Sequence, residues 1–218
     1  MRPSDGTQAA ADPARILLIS GSLQAQSTNT ALLRTLAVNP PPGVHAELCE
    51  GMGALPHFNP DCDPVGGPVA ASVGDLRAQL GAAEALMFCV PTYAAGLPGA
   101  FANLLDWAVG GRELYAMPVA WLNVTGKTAR GGGAGAHEPL QAFLVGAGSI
   151  VIHTACIRLP LTCSAVGADG LIADAGVRAL ALETLAELGR AAVVTRDWAA
   201  SIQQREAAAA ARRAADNH

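Results

Sequence analysis

The sequence predicts an α/β chain: a doubly wound, five-stranded parallel sheet of order 2-1-3-4-5, with helices on both faces. Three observations predict it. Short continuous apolar runs, suited to strands buried on both faces, alternate with stretches of helical period. The first run, Ile16-Leu17-Leu18-Ile19, passes into the small, polar stretch Gly21–Thr30 and then into a helix start, Ala31-Leu32-Leu33-Arg34-Thr35-Leu36. The chain has 218 residues, 51% hydrophobic and 4% aromatic, which suits one domain around an Ala/Leu/Val core.

Strand one is Arg15–Ser20, and the helix after it runs near Asn29–Ala37 until Pro40-Pro41-Pro42-Gly43 ends it. Val44–Cys49 alternates and suits an edge strand. Gly51–Pro68 has no period and reads as a long loop, with Leu55-Pro56 its apolar anchor. Val69–Gly81 is a helix, Ala85–Val90 the buried third strand, and Leu97–Val109 a helix with Phe101, Leu104, Leu105 and Ala108 on one face. Met117–Val124 is the fourth strand, Glu138–Val145 a helix begun by His137-Glu138-Pro139, and Gly148–Ala155 the fifth strand. Two helices follow, Val177–Arg196 and Asp197–Ala215. The second is alanine-rich with scattered charge, either a solvated helix that frays or one that packs on a second subunit. Residues 1–14 read as a disordered leader, 15–198 as the domain and 199–218 as a helical tail.

Right-handed crossovers give the strand order. In such a sheet, ligands bind outside the carboxyl ends of the strands, where the order reverses, between strands one and three. Three loops converge there: Gly21–Asn29, Pro91–Gly99 and Asn123–Gly135. In the first, a helix N-terminus supplies unpaired N–H groups and the positive end of its dipole, and Ser, Thr and Asn add donors. Taken one at a time, Thr28 or Asn29 reads as a helix cap. Taken whole, the loop reads as a lysine-free socket for a phosphate dianion. A dinucleotide fingerprint is excluded, because Gly21 stands alone. A Walker loop is excluded too: Gly126-Lys127-Thr128 supplies its tail, but Trp121 stands where its first glycine belongs.

Two stretches carry a family resemblance. Gly21, Ser22, Ser27 and Asn29 match the G-S-x-R-x-x-S-x-N loop of the NADPH-dependent FMN reductases, flavodoxin-like flavoproteins, with Gln24 in place of the usual arginine. Pro91, Tyr93, Pro98, Gly99, Asn103, Asp106 and Trp107 match that family's second signature, with Thr92, Ala94 and Ala102 replacing Glu, Asn and Lys. The resemblance covers about residues 15–151. It implies a flavodoxin-like fold and bound FMN, with NADPH or NADH as co-substrate. Its implied FMN contacts are Ser20, Ser22, Gln24, Ser27, Asn29 and Thr30 in the first loop and Pro91, Thr92, Tyr93 and Ala94 in the second. In the third it implies Thr125, Gly126 and Gly131, through backbone. Asn103, Asp106 and Trp107 then serve helix packing and a subunit face. The family's flavin sites are usually completed between subunits, which implies a homodimer or homotetramer.

In the third loop five of the thirteen residues Asn123–Gly135 are glycine. Its cations, Lys127 and Arg130, suit a reduced flavin, the phosphates of a nicotinamide nucleotide, or solvent. The expected reaction is hydride transfer from nicotinamide to flavin N5 and on to a small acceptor: a quinone, free flavin, azo compound or metal ion. No side chain is required as acid or base, because the cofactor carries the chemistry. Two rival readings are an FMN-binding electron-transfer or accessory protein without its own NAD(P)H turnover, and a phosphate-ligand binder without flavin.

The remaining composition narrows the partners. A net charge of −4 without a basic stripe argues against nucleic acid, and no apolar run is long enough to span a bilayer. Five cysteines, an odd number without C-x-x-C, indicate reduced thiols and a cytoplasmic setting. Cys89 reads as core, and Cys156 and Cys163 stand too far from other ligands for a metal. His137 reads as a surface residue and His153 as a core histidine within the fifth strand.

Overall fold

The computed structural model describes residues 12–94, 96–124 and 134–216. Six parallel strands form one sheet: β1 (Ala14–Ser20), β2 (Val44–Leu48), β3 (Ala85–Cys89), β4 (Pro118–Val124), β5 (Ile150–Val151) and β6 (Ile157–Leu159). Their order is β2-β1-β3-β4-β5, with β6 beside the far end of β4. The helices are α1 (Thr28–Val38), α2 (Ala71–Ala82), α3 (Gly99–Gly110), α4 (Ala134–Gly146) and α5 (Ala175–Asp216).

The strand periodicity of two divides the core. Ile16, Leu18, Met87, Cys89, Ala120 and Leu122 face α1 and α5, where Leu32, Leu33, Leu36, Leu185 and Leu188 meet them. Leu17, Ile19, Leu86, Phe88, Val119 and Trp121 face the other way, against Leu76, Leu80, Phe101, Leu104, Trp107, Leu140 and Leu144. Gly189 lets α5 lie close on the sheet edge, since a Cβ there would stand 2.6 Å from a Val44 methyl.

Three predicted elements differ. The fifth strand is split: β5 pairs with Pro118 and Val119, a 3-10 turn spans His153–Ala155, and β6 pairs with Leu122, Asn123 and Val124. A straight strand would carry one of the adjacent polar side chains His153 and Thr154 to a covered face, and the turn exposes both. His153 is therefore a surface residue, not a core one. α4 begins by Ala134, ahead of the predicted start, and holds Pro139 inside it. Pro139 lies less than two turns from that end, so the backbone bond it forgoes is one to the Gly135 carbonyl. The two predicted C-terminal helices are one: α5 runs 42 residues without interruption.

The loop between β2 and α2 contains two single-turn segments, Met52–Ala54 and Pro60–Cys62, and is tied to α3. The Asn103 side chain accepts from Phe58 N–H (2.7 Å) and donates to the Pro56 carbonyl (2.9 Å), where the Trp107 indole N–H also donates (2.8 Å). The Phe58 ring stands edge-on to Trp107 with centroids 5.0 Å apart. Arg77 of α2 completes the tie. It holds Asp63 through two bonds of 2.9 and 2.8 Å and donates to the Trp107 carbonyl, one of the last α3 carbonyls without an intrahelical partner. The side chains of Arg77 and Asp63 are 17% and 9% exposed, so this pair is largely shielded.

The Arg77 guanidinium beside Asp63 holds its carboxyl below the ordinary carboxylate value. A lowered folded pKa stabilises the protein above the unfolded value, and that stabilisation fades as pH falls through the carboxylate range. Asp63→Asn, which removes the charge that Arg77 pairs with, should cost about 1 kcal/mol at neutral pH by urea denaturation. The variant should also lose part of the wild-type acid sensitivity. Equal stability of the two proteins at neutral pH would refute this.

Candidate functional site

The site begins where β1 ends. Gly21 N–H donates to the Cys89 carbonyl (2.9 Å), and a Cβ on Gly21 would stand 2.7 Å from Val90 Cγ1 and 3.1 Å from its Cα. Only glycine lets the ends of β1 and β3 approach this closely before their loops part. Beyond Gly21 the chain coils on itself. Ser22 N–H donates to Ser20 Oγ (3.3 Å), Gln24 N–H to Ser22 Oγ (3.2 Å), and Ser27 N–H to the Gln24 carbonyl (3.1 Å). Ser27 then caps α1, its Oγ accepting from Thr30 N–H at 3.4 Å. Among the described residues nothing accepts from the N–H groups of Gln26, Thr28 or Asn29.

Asn29 is oriented from below. The Cys89 thiol donates to its Oδ1 at 3.2 Å, which leaves the Asn29 NH2 without a partner among the described residues. Burial pushes the Cys89 thiol far above its ordinary range, so it stays protonated and acts as a donor. An amide facing a fixed donor must present its oxygen, and its NH2 turns away.

These groups form one wall of a cavity of about 340 Å³. Ser22, Gln24, Ser27 and Asn29 line it, joined by Gln26 and Thr28. Ser22, Ser27 and Asn29 are 8%, 4% and 8% exposed, so their polar groups sit in a shielded recess, not on open surface. Pro91 and Tyr93 of the second loop line the opposite side, with Val124, Leu161 and Thr162 closing it. None of the described lining residues is acidic or cationic. Such a recess, rich in N–H and hydroxyl groups and apolar at its far end, fits a ligand with a dianionic group and a flat apolar body.

The remaining expected contacts are placed differently. Ser20 and Thr30 do not line the cavity: their hydroxyls bond each other at 2.8 Å behind the loop. Thr92 and Ala94 are also absent from its wall. Tyr93 and Gly96 exchange backbone bonds of 3.1 and 2.9 Å, which puts Ala94 at the tip of a tight turn with φ 48°. Thr125, Gly126 and Gly131, with Lys127 and Arg130, lie outside the described residues. Sequence reasoning missed Leu161 and Thr162, which follow β6. The only signal was the alternation Ile157-Arg158-Leu159 before Pro160, and it was hidden by the expectation of one continuous fifth strand.

His137, in the second turn of α4, is half-buried and stands edge-on to Trp121 with ring centroids 5.8 Å apart. Burial, helped by the charge of Arg158, lowers its pKa to about 4, so the imidazole is neutral at physiological pH. It is neither an exposed surface residue nor a lining residue of the cavity.

Comparison with known proteins gives three findings. The family model of NADPH-dependent FMN reductases matches residues 14–159. An NAD(P)H-dependent FMN reductase of Pseudomonas aeruginosa is 39% identical over 97 residues, 44% of this chain. That match spans about half (51%) of the length of the relative. Among solved structures, the flavoenzyme NAD(P)H:acceptor oxidoreductase FerB of Paracoccus denitrificans superposes with a TM-score of 0.68 at 22% identity, covering 81% of this chain and 98% of that one. A flavodoxin, WrbA-like protein of Agrobacterium tumefaciens gives 0.51 at 12% identity, covering 85% and 99%. These structural likenesses establish a flavodoxin-like fold.

The close approach at Gly21 is directly testable. Gly21→Ala forces a methyl against Val90 backbone and side chain, and overpacking of this kind costs about 1–3 kcal/mol. Urea denaturation should show a midpoint lowered accordingly; an unchanged midpoint would show that the strand ends can part freely.

Proposed function

We propose that this chain, which belongs to the NADPH-dependent FMN reductase family, works as an FMN-dependent NAD(P)H oxidoreductase. One observation carries the reading: a single recess joins a donor-rich cup at the α1 N-terminus, with no cation among its described lining residues, to the loop bearing Pro91 and Tyr93. The cup suits the phosphate of FMN. Ser22, Ser27, Thr28 and Asn29 hold it through hydroxyl, amide and backbone N–H groups, and the helix dipole offsets its charge. Tyr93, 51% exposed, has a ring free to lie along the flavin, and Val124 and Leu161 border the same space.

FMN held in this recess would supply the redox chemistry that carries electrons from NADPH or NADH to a small acceptor. The protein's part is to bind, orient and shield. The described wall offers hydroxyl, amide and backbone N–H groups, which act by position and hydrogen bonding. The acceptor belongs to the class of flavins, quinones, azo compounds or metal ions. The working form is a homodimer or homotetramer in the cytoplasm. No described helix is long and apolar enough to cross a membrane.

The purified protein should be yellow, release FMN on denaturation, and bleach when mixed anaerobically with NADPH or NADH in stopped flow. A flavin-loaded protein that neither nucleotide bleaches would defeat the reductase reading. Ser22→Asp places a carboxylate beside the phosphate. Like charges at contact distance near a protein surface cost roughly 4 kcal/mol, so FMN affinity should fall at least about 100-fold. Cys89→Ala frees the Asn29 amide to turn and should weaken FMN binding several-fold, the loss of one neutral hydrogen bond. Cys89→Ser should restore most of it; two variants that bind FMN like wild type would remove Cys89 from the site.

A further inference from the structure

We propose that the groove along the outer face of α1 is a second phosphate and adenine subsite, which lets this chain hold FAD, with Arg34 countering the phosphate that FMN lacks. The inference rests on the placement of the FMN phosphate argued above. A separate cavity of about 410 Å³ lies directly beyond the cup and shares Gln26 and Ser27 with it as a common rim. A ligand prolonged through its phosphate crosses that rim and enters the second cavity.

The groove has a cation where a second phosphate would need one. Ser27, Ala31 and Arg34 stand at i, i+4 and i+7 on α1 and all line the groove. Side chains on a helix lean toward its N-terminus, so Arg34 projects back toward the Ser27 rim from about 10 Å down the axis. Its guanidinium makes no hydrogen bond or ion pair among the described residues, whereas Arg77, Arg178, Arg190 and Arg196 are all engaged. Among the described residues no carboxylate lines the groove. The nearby Asp169 carboxylate accepts from Leu171 N–H at 3.1 Å.

The opposite wall is narrow and held in place. Val166, Gly167, Ala168 and Gly170 form it, with Ala25 and Ala31 across from them: small residues that leave a slot for a flat ring. Gly170 has φ 76°, a left-handed conformation that favours glycine, and Arg34 Nη1 lies 3.5 Å from where its Cβ would stand. Ile172 N–H donates to the Thr35 hydroxyl at 2.9 Å, and that hydroxyl donates to the Ala31 carbonyl at 2.7 Å, which clamps this segment to α1.

The experiment titrates the full chain, stripped of flavin, with FMN and with FAD, following flavin fluorescence. The wild type should bind FAD within about tenfold of its FMN affinity. Arg34→Ala should weaken FAD about tenfold while FMN changes less than twofold, and Arg34→Lys should recover part of the loss. FAD binding much weaker than FMN in the wild type would overturn the inference, as would an Arg34→Ala variant that shifts both flavins equally or neither. In all those cases FMN still binds and the proposed function survives. Failure to bind either flavin would overturn both.

Discussion

Two parallel neighbours that send their helices to opposite faces cannot stay together past their carboxyl ends. β1 leads to α1 on one face and β3 leads to α3 on the other, so the loops part and a cleft is unavoidable. What can vary is where the parting begins. Gly21 bonds the Cys89 carbonyl and nearly touches Val90, which keeps the strand ends joined to the last residue. The cleft therefore opens above the sheet, and its floor is well-packed strand.

That floor does more than close the recess. Cys89 belongs to β3, yet its thiol reaches across to Asn29 of α1. A buried thiol in apolar surroundings is ordinarily just a small apolar filler. Here it settles which end of an amide faces upward. The cup is thereby electropositive without any described cation: it combines unpaired N–H groups, a helix dipole and an oriented carboxamide. An anion placed there would be met by dipoles already fixed, without the ordering cost that a long, mobile lysine or arginine side chain brings.

The sheet order and most helices were legible because hydrophobic period and turn residues are local signals. Ile16-Leu17-Leu18-Ile19 announced β1, and the hydroxyl-rich run after it announced the cup. Interactions between distant segments were not legible. Nothing near Thr30 says that its hydroxyl will bond Ser20, ten residues earlier, and so be drawn behind the loop. The same holds for Leu161 and Thr162, which reach the recess only because the chain pauses in a 3-10 turn at His153–Ala155 and then returns to the sheet as β6. A pattern of apolar residues gives the number of strands well, but it does not say that an edge strand will break where two polar side chains adjoin. Alanine at the tip of the second loop is the converse case. The sequence flagged Ala94 as a departure from asparagine, and its φ of 48° shows what the departure entails, a left-handed residue without the side chain that tolerates it best.

The last helix has a consequence for how the molecule melts. α5 spans 42 residues, about 63 Å at the usual rise, but through residue 210 the last buried side chain is Ala192. Beyond it Val194 and Trp198 are 67% and 62% exposed, and the segment 203–210 is exposed throughout. An exposed helical segment of this kind is held by its alanines and little else, and its ellipticity declines gradually with warming. In a monomer the far-ultraviolet signal would therefore drift downward well before the domain's cooperative transition, while the buried Trp107 kept its folded fluorescence. A sharp, coincident loss of both signals would mean the arm lies against another surface.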